Sequence, residues 1–114
     1  TDTSATNCGI TISGNQTIDI DSSISTTNER GIFISKGSNT LTIDGDITVN
    51  SNINNAEGIK INTSPASNNV INMIGNISTI SSGGAEQMYG IRLNNGASNN
   101  TVNVTGNVST SGNI

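Results

Sequence analysis

Short runs in which every second residue is aliphatic follow one another along the whole chain, bounded by Gly, Asn, Ser and Thr. Alternation of this kind is the signature of a half-buried strand. Three kinds of run recur four times. The first begins at Gly9, Gly31, Gly58 and Gly90, the second at Thr17, Thr40, Val70 and Thr101, and the third centres on Ile24, Ile47, Ile77 and Val108. Aligned by these landmarks, the aliphatics fall into columns: Ile10, Ile32, Ile59, Ile91; Ile12, Ile34, Ile61, Leu93; Ile18, Leu41, Ile71, Val102; and Ile20, Ile43, Met73, Val104. Ile24, Ile47, Ile77 and Val108 form a fifth, so the predicted core is five columns deep in four layers. Thr11, Phe33, Lys60 and Arg92, with Asp19, Thr42, Asn72 and Asn103, alternate with the core positions and are predicted to face solvent.

The spacing separates a rigid connection from two elastic ones. From the start of the second run to the polar residue before the third the count is six in every unit: Thr17 to Ser23, Thr40 to Asp46, Val70 to Asn76, Thr101 to Asn107. From the Gly to the second run it is 8, 9, 12 and 11, and from the third run to the next Gly it is 7, 11 and 13. One fixed and two variable corners predict an all-β fold, a three-sided parallel β-helix (β-solenoid) of about four coils, in which insertions project outward without disturbing the stack. Crossover chirality predicts a right-handed coil. Residues 1–114 read as a single domain whose coils start near the four glycines, with contact loops over 50–57, 80–89 and 109–114.

Corner residues are as regular as core residues. Gln16, Asn39, Asn69 and Asn100 precede the second run, and Ser23, Asp46, Asn76 and Asn107 follow Ser22, Gly45, Gly75 and Gly106. Gly and Asn tolerate positive φ at corners, and stacked Asn side chains bond to their equivalents above and below. Composition then takes on its meaning: 31% hydrophobic and 11% charged residues would suggest disorder if the apolar positions were scattered. Here they are columnar. Asn, Ser, Thr and Gly are poor in helix interiors and no stretch carries a helical repeat, so no helix competes.

Neither end of the stack shows a recognisable cap, and open edges invite pairing, so self-association through the solenoid ends is expected. With no signal peptide, membrane run or initiator Met, the chain reads as a mature or excised piece. A net charge of −4 with only Arg30, Lys36, Lys60 and Arg92 as cations argues against a nucleic-acid surface and against a polybasic membrane contact or insertion. The single Cys8 has no partner for an internal disulfide; it reads as a small turn residue, with an intermolecular link or free thiol as the alternative.

Gly-Ile-Phe-Ile-Ser (31–35), Asn-Thr-Leu-Thr-Ile-Asp-Gly-Asp-Ile (39–47), Gly-Asn-Ile-Ser-Thr (75–79) and Gly-Asn-Val-Ser-Thr-Ser-Gly (106–112) resemble the passenger repeats of bacterial autotransporters. The resemblance spans nearly the whole chain. It implies a right-handed parallel β-helix exported to the bacterial cell surface or beyond, where such stalks carry adhesins, proteases or purely structural fibres and face a host or neighbouring cell.

Candidate chemistry is sparse. With no His in the chain, Ser-His-Asp and Cys-His arrangements and His-containing metal sites do not arise. Asp21 and Asp44 hold the same place in adjacent coils, about 5 Å apart, close to the carboxyl separation of a retaining glycosidase, with Asp19 and Asp46 nearby. That weak acidic cluster resembles the grooves of β-helical polysaccharide lyases and hydrolases in layout, without a basic partner or groove walls. The same carboxylates suit Ca²⁺, yet the nonapeptide Gly-Gly-x-Gly-x-Asp repeat is missing, and solvated turn aspartates are the simpler reading. Glu29, Glu57 and Glu86 are placed in the variable loop before the Gly, in exposed ion pairs with Arg30, Lys60 and Arg92 worth under about 1 kcal/mol each. Asn-x-Ser/Thr occurs at Asn15, Asn62, Asn76, Asn99 and Asn107 among other positions, as expected by chance in so Asn-rich a chain. Phe33 and Tyr89 are its only aromatic residues; Phe33 is expected to face outward and Tyr89 to lie in the longest loop. A candidate contact surface gathers Phe33, Lys60, Tyr89 and Arg92. The expected function is a non-catalytic extracellular stalk or fibre built by coil stacking, needing no cofactor, with head-to-tail filament assembly and an adhesive role as its extension. A polysaccharide-acting enzyme or a Ca²⁺-dependent binding module are the alternatives.

Overall fold

The computed structural model describes residues 8–27, 30–51, 55–62, 67–81, 87–94 and 96–112. They form four coils of three strands each. Coil 1 is β1 (Cys8–Ile12), β2 (Thr17–Ile20) and β3 (Ile24–Thr26); coil 2 is β4 (Arg30–Ile34), β5 (Thr40–Asp44) and β6 (Ile47–Ser51). Coil 3 is β7 (Asn55–Ile61), β8 (Val70–Ile74) and β9 (Ile77–Ser81); coil 4 is β10 (Gln87–Leu93), β11 (Thr101–Thr105) and β12 (Val108–Gly112). No helix occurs among the described residues.

Each strand pairs in parallel with its equivalent one coil away, giving three four-stranded sheets in the orders β1-β4-β7-β10, β2-β5-β8-β11 and β3-β6-β9-β12. This is the expected three-sided parallel β-helix. Its register follows the sequence columns: Ile10, Ile32, Ile59 and Ile91 stack, as do Ile12, Ile34, Ile61 and Leu93. So do Ile18, Leu41, Ile71 and Val102, and Ile24, Ile47, Ile77 and Val108. Ile32, Ile34, Leu41, Ile47, Ile59, Ile61, Ile71 and Ile77 are wholly buried, so the core runs down the axis.

The third wall is wider than the aliphatic pattern shows. Thr26, Val49, Thr79 and Thr110 stack as a second inward column, and Val49, Thr79, Ser51 and Ser81 are buried. Only Val49 in that column is aliphatic, so the alternation is silent there. The hydroxyl of Thr79 has no hydrogen-bond partner.

Two corners carry polar rungs. Ahead of the second strand, the backbone N–H of Gln16 donates to Asn39 Oδ1 (3.0 Å), that of Asn39 to Asn69 Oδ1 (3.1 Å) and that of Asn69 to Asn100 Oδ1 (3.0 Å). The side-chain amides extend the ladder, Asn39 Nδ2 donating to Asn69 Oδ1 at 2.8 Å. At the fixed corner the sense reverses: Asp46 N–H donates to Ser23 Oγ (3.1 Å), Asn76 N–H to Asp46 Oδ1 (2.8 Å) and Asn107 N–H to Asn76 Oδ1 (2.9 Å). Gly75 and Gly106 sit there at φ 148° and 151°, and a Cβ on Gly75 would collide with the carbonyl of Gly45. This close approach makes the corner invariant in length.

The ends of the stack differ. In coil 1, Ile10, Ile12 and Ile24 are 8%, 2% and 9% exposed, whereas Leu93 and Val108, in the same columns of coil 4, are 46% and 48% exposed.

Candidate contact surface on the first sheet

The glycine that opens each unit lies inside the first strand, which changes where its neighbours point. Arg30 pairs with Glu57 and Ile32 with Ile59, the glycines between them being passed over, and the same skip separates Tyr89↔Glu57 from Ile91↔Ile59. A Cβ on Gly31 would lie 2.6 Å from Ile47 Cγ2 and 2.7 Å from the Gly58 carbonyl oxygen, so the first strand meets the third wall at this point. The alternation resets across the glycine. Ala56 joins the core on one side and Ile59 on the other, and Glu57 comes out on the same face as Lys60.

Glu57 is therefore not in an exposed loop, as the sequence reading has it, but inside β7 with a side chain only 1% exposed. Three cations from three coils cover it. Arg30 Nε lies 2.9 Å from Oε1, Lys60 Nζ 3.6 Å from Oε1 and Arg92 Nη1 3.1 Å from Oε2. Those partners are themselves only 16%, 11% and 30% exposed, so the pairs are partly desolvated, and removing Glu57 would leave buried positive charge uncompensated. Tyr89 is likewise in a strand, β10, rather than a loop. Strands β7 and β10 start at Asn55 and Gln87 because the chain keeps pairing upstream of the glycine, which converts parts of the expected loops 50–57 and 80–89 into strand. Glu29 and Glu86 lie outside the described residues.

Both rings take part in the cluster. The Arg30 guanidinium stacks over Phe33 at 5.1 Å and that of Arg92 over Tyr89 at 4.8 Å, within cation–π range. Phe33, Lys60 and Arg92 stack in register on the first sheet, with Tyr89 against Arg92 and with Arg30 and Glu57 among them. Sequence reasoning missed Glu57 because alternation counted straight through the glycine does not place it beside Lys60. Restarting the count at the glycine would have found it.

No family model, curated protein or solved structure matches this chain. Its parallel β-helix rests on the strand order and register alone.

The acidic positions gather less tightly. Asp19, Asp21, Asp44 and Asp46 are all exposed. Asp19 lies beside Thr42, Asp44 beside Ile74, and the register brings Asp21 to the level of Asp44. Asp46 is engaged in the corner ladder through the N–H of Asn76. Asp44 lines a shallow cavity of about 250 Å³ on the outer side of the second sheet, with Thr42, Asn72, Ile74, Asn103 and Thr105. That groove offers hydroxyls, amides and one carboxylate along the axis. Among the described residues no three carboxylate or thiol groups converge as a metal site. Cys8 opens β1 opposite Arg30.

Proposed function

We propose that this chain is a non-catalytic structural element, a β-solenoid stalk or fibre unit displayed outside a bacterial cell, of the kind its repeats resemble in autotransporter passengers. The observation that carries this reading is how the polar residues are used. Asn39, Asn69, Asn76 and Asp46 bind the coil above or below, one rung per layer, so the chain's commonest polar groups serve axial continuity. An aliphatic core with continuous axial hydrogen bonding resists bending and leaves few edges for a protease, which suits a stalk. Among the described residues β1–β3 and β10–β12 are the outermost strands of the three sheets, and further coils or copies stacked there would extend the same ladders, while the cation–aromatic face around Phe33, Lys60, Tyr89 and Arg92 is the surface offered to a neighbouring or host cell.

The test is display in the native cell. Antibody raised against the folded chain should label intact cells, and deleting the coding segment should shorten or remove a surface structure in electron micrographs; labelling only after lysis would sink the proposal. The groove beside Asp44 supports a second, polysaccharide-directed reading, for which Asp21→Asn and Asp44→Asn should abolish activity on cell-wall or capsular glycans. A chelator-induced fall in melting temperature would favour a Ca²⁺-dependent module.

A further inference from the structure

The groove on the outer side of the second sheet is lined by polar groups that the axial ladders leave unused. At the corner ahead of that sheet each Asn is bound to the next coil, whereas here the ladder stops after one rung, Asn103 Nδ2 donating to Asn72 Oδ1 at 2.9 Å. Asn72 Nδ2 remains as a donor, and the Thr42 hydroxyl and the Asp44 carboxylate engage no described side chain. Two outward columns flank the groove, Thr42, Asn72 and Asn103 in one wall and Asp44, Ile74 and Thr105 in the other, over a floor of sheet backbone. Ile74 is 62% exposed in the middle of its wall. The groove opens sideways. Its centre lies on β5 and β8, each with a described strand on both sides, so coils added at either end of the stack would lengthen it without covering it.

We propose that this groove is a binding site for an uncharged glycan lying along the solenoid axis, which it holds without cleaving. An extended sugar chain presents hydroxyls at regular intervals, and the coil rise of about 4.8 Å sets the groove's polar groups at close to the length of one sugar unit. Asn72 Nδ2 donates, Asp44 accepts, and Ile74 offers an apolar patch to the C–H face of a ring, a few fixed polar groups beside apolar surface being the usual make-up of a ligand site. Charge selects a neutral chain. Asp19, Asp21 and Asp44 are exposed on this sheet, whereas Arg30, Lys60 and Arg92 gather around Glu57 on the first sheet, so an acidic glycan is repelled here. Carboxylate placement argues for holding over cutting: hydrolysis by a carboxyl pair needs groups flanking the scissile bond, and the register stacks Asp21 and Asp44 in one wall. The site goes beyond the stalk reading, since a stalk needs no ligand.

Titration of the isotope-labelled full chain with cellohexaose, maltohexaose and mannohexaose, and with hexagalacturonate as the acidic control, tests this by NMR. At least one neutral sugar should shift the amide signals of Thr42, Asp44, Asn72 and Ile74 and be recovered uncut, while hexagalacturonate leaves them in place. Asn72→Ala should weaken that binding about tenfold, and Ile74→Glu, at an exposed position, should abolish it, both with unchanged circular dichroism spectra. If no neutral sugar moves the groove signals, if the acidic sugar moves them more, or if the shifts fall around Phe33 and Tyr89 instead, the site is overturned. Cleavage products would overturn holding without cutting and favour the enzyme. None of these outcomes bears on display outside the cell, which surface labelling decides separately.

Discussion

The rungs of the second sheet and its corner repeat one chemistry from coil to coil, whereas the cluster on the first sheet uses each of its residues once. Asn39 and Asn69 have the same environment a layer apart, and so do Leu41 and Ile71. Arg30, Glu57 and Tyr89 share a stacking column yet differ in charge and shape. Repetition supplies stability cheaply, since every added coil extends the same core and the same ladders. It leaves the register degenerate, because a strand slipped by a whole coil meets an almost identical neighbour. The unrepeated cluster removes that degeneracy: only with β4, β7 and β10 in their observed order do Arg30, Lys60 and Arg92 converge on Glu57. Buried polar groups have this registry role in other folds.

The largest effect should come from the repeated part. Ile59 and Ile71 are wholly buried in the interior layers, and Ile59→Ala removes three methyl-sized groups where the stacked coils above and below cannot collapse. A loss of about 2–5 kcal/mol is expected, measured by urea unfolding. Gly75→Ala belongs at the same level for a different reason: the residue holds φ at 148° and its new Cβ would meet the Gly45 carbonyl. If Gly75→Ala unfolds at the same urea concentration as the parent chain, the close approach at the fixed corner is not what fixes its length.

Next comes the unrepeated cluster. Glu57→Gln keeps the shape but leaves three cations facing a neutral amide, and a loss of about 2–4 kcal/mol is expected, near the lower end for a buried ion pair because Arg92 is partly solvated. The comparison between the two regions is sharpened by a second readout. Ile59→Ala should weaken the fold with a single cooperative transition, while Glu57→Gln should broaden it and slow refolding, as slipped registers compete. Equal cooperativity in both variants would mean that the cluster adds stability and nothing more.

A smaller effect is expected at the ladder. Asn69 is buried and both accepts from Asn39 and donates to Asn100. Asn69→Ala strands the Asn39 N–H, for about 1–3 kcal/mol.

How much of this was legible in the sequence follows the same division. The five aliphatic columns and the corner columns could be read because each landmark occurs four times, so one ambiguous unit is corrected by the other three. Ile91 and Leu93 were placed correctly although the spacing before Gly90 is the longest in the chain. Glu57 and Tyr89 could not be placed that way. Each stands one residue before a glycine at which the strand changes face, so alternation carried back from the core positions after the glycine gives it the wrong phase, and its column holds residues too unlike one another for the repeat to show it. Burial at the two ends was also illegible, since Ile12 and Leu93 are equivalent in pattern and differ only in what covers them.

The smallest change tests whether the third wall obeys the same logic as the other two. Thr79 sits in the inward column of Thr26, Val49 and Thr110, wholly buried, with a hydroxyl that bonds to nothing. The chain itself places Val at the equivalent position one coil earlier. Thr79→Val matches the shape of the side chain and removes an unsatisfied polar atom, so it should raise stability by about 1 kcal/mol, visible as a higher melting temperature. A fall instead would mean that the hydroxyl is satisfied in solution by a buried water, and that the third wall is held by a polar column where the other two walls are held by aliphatics alone.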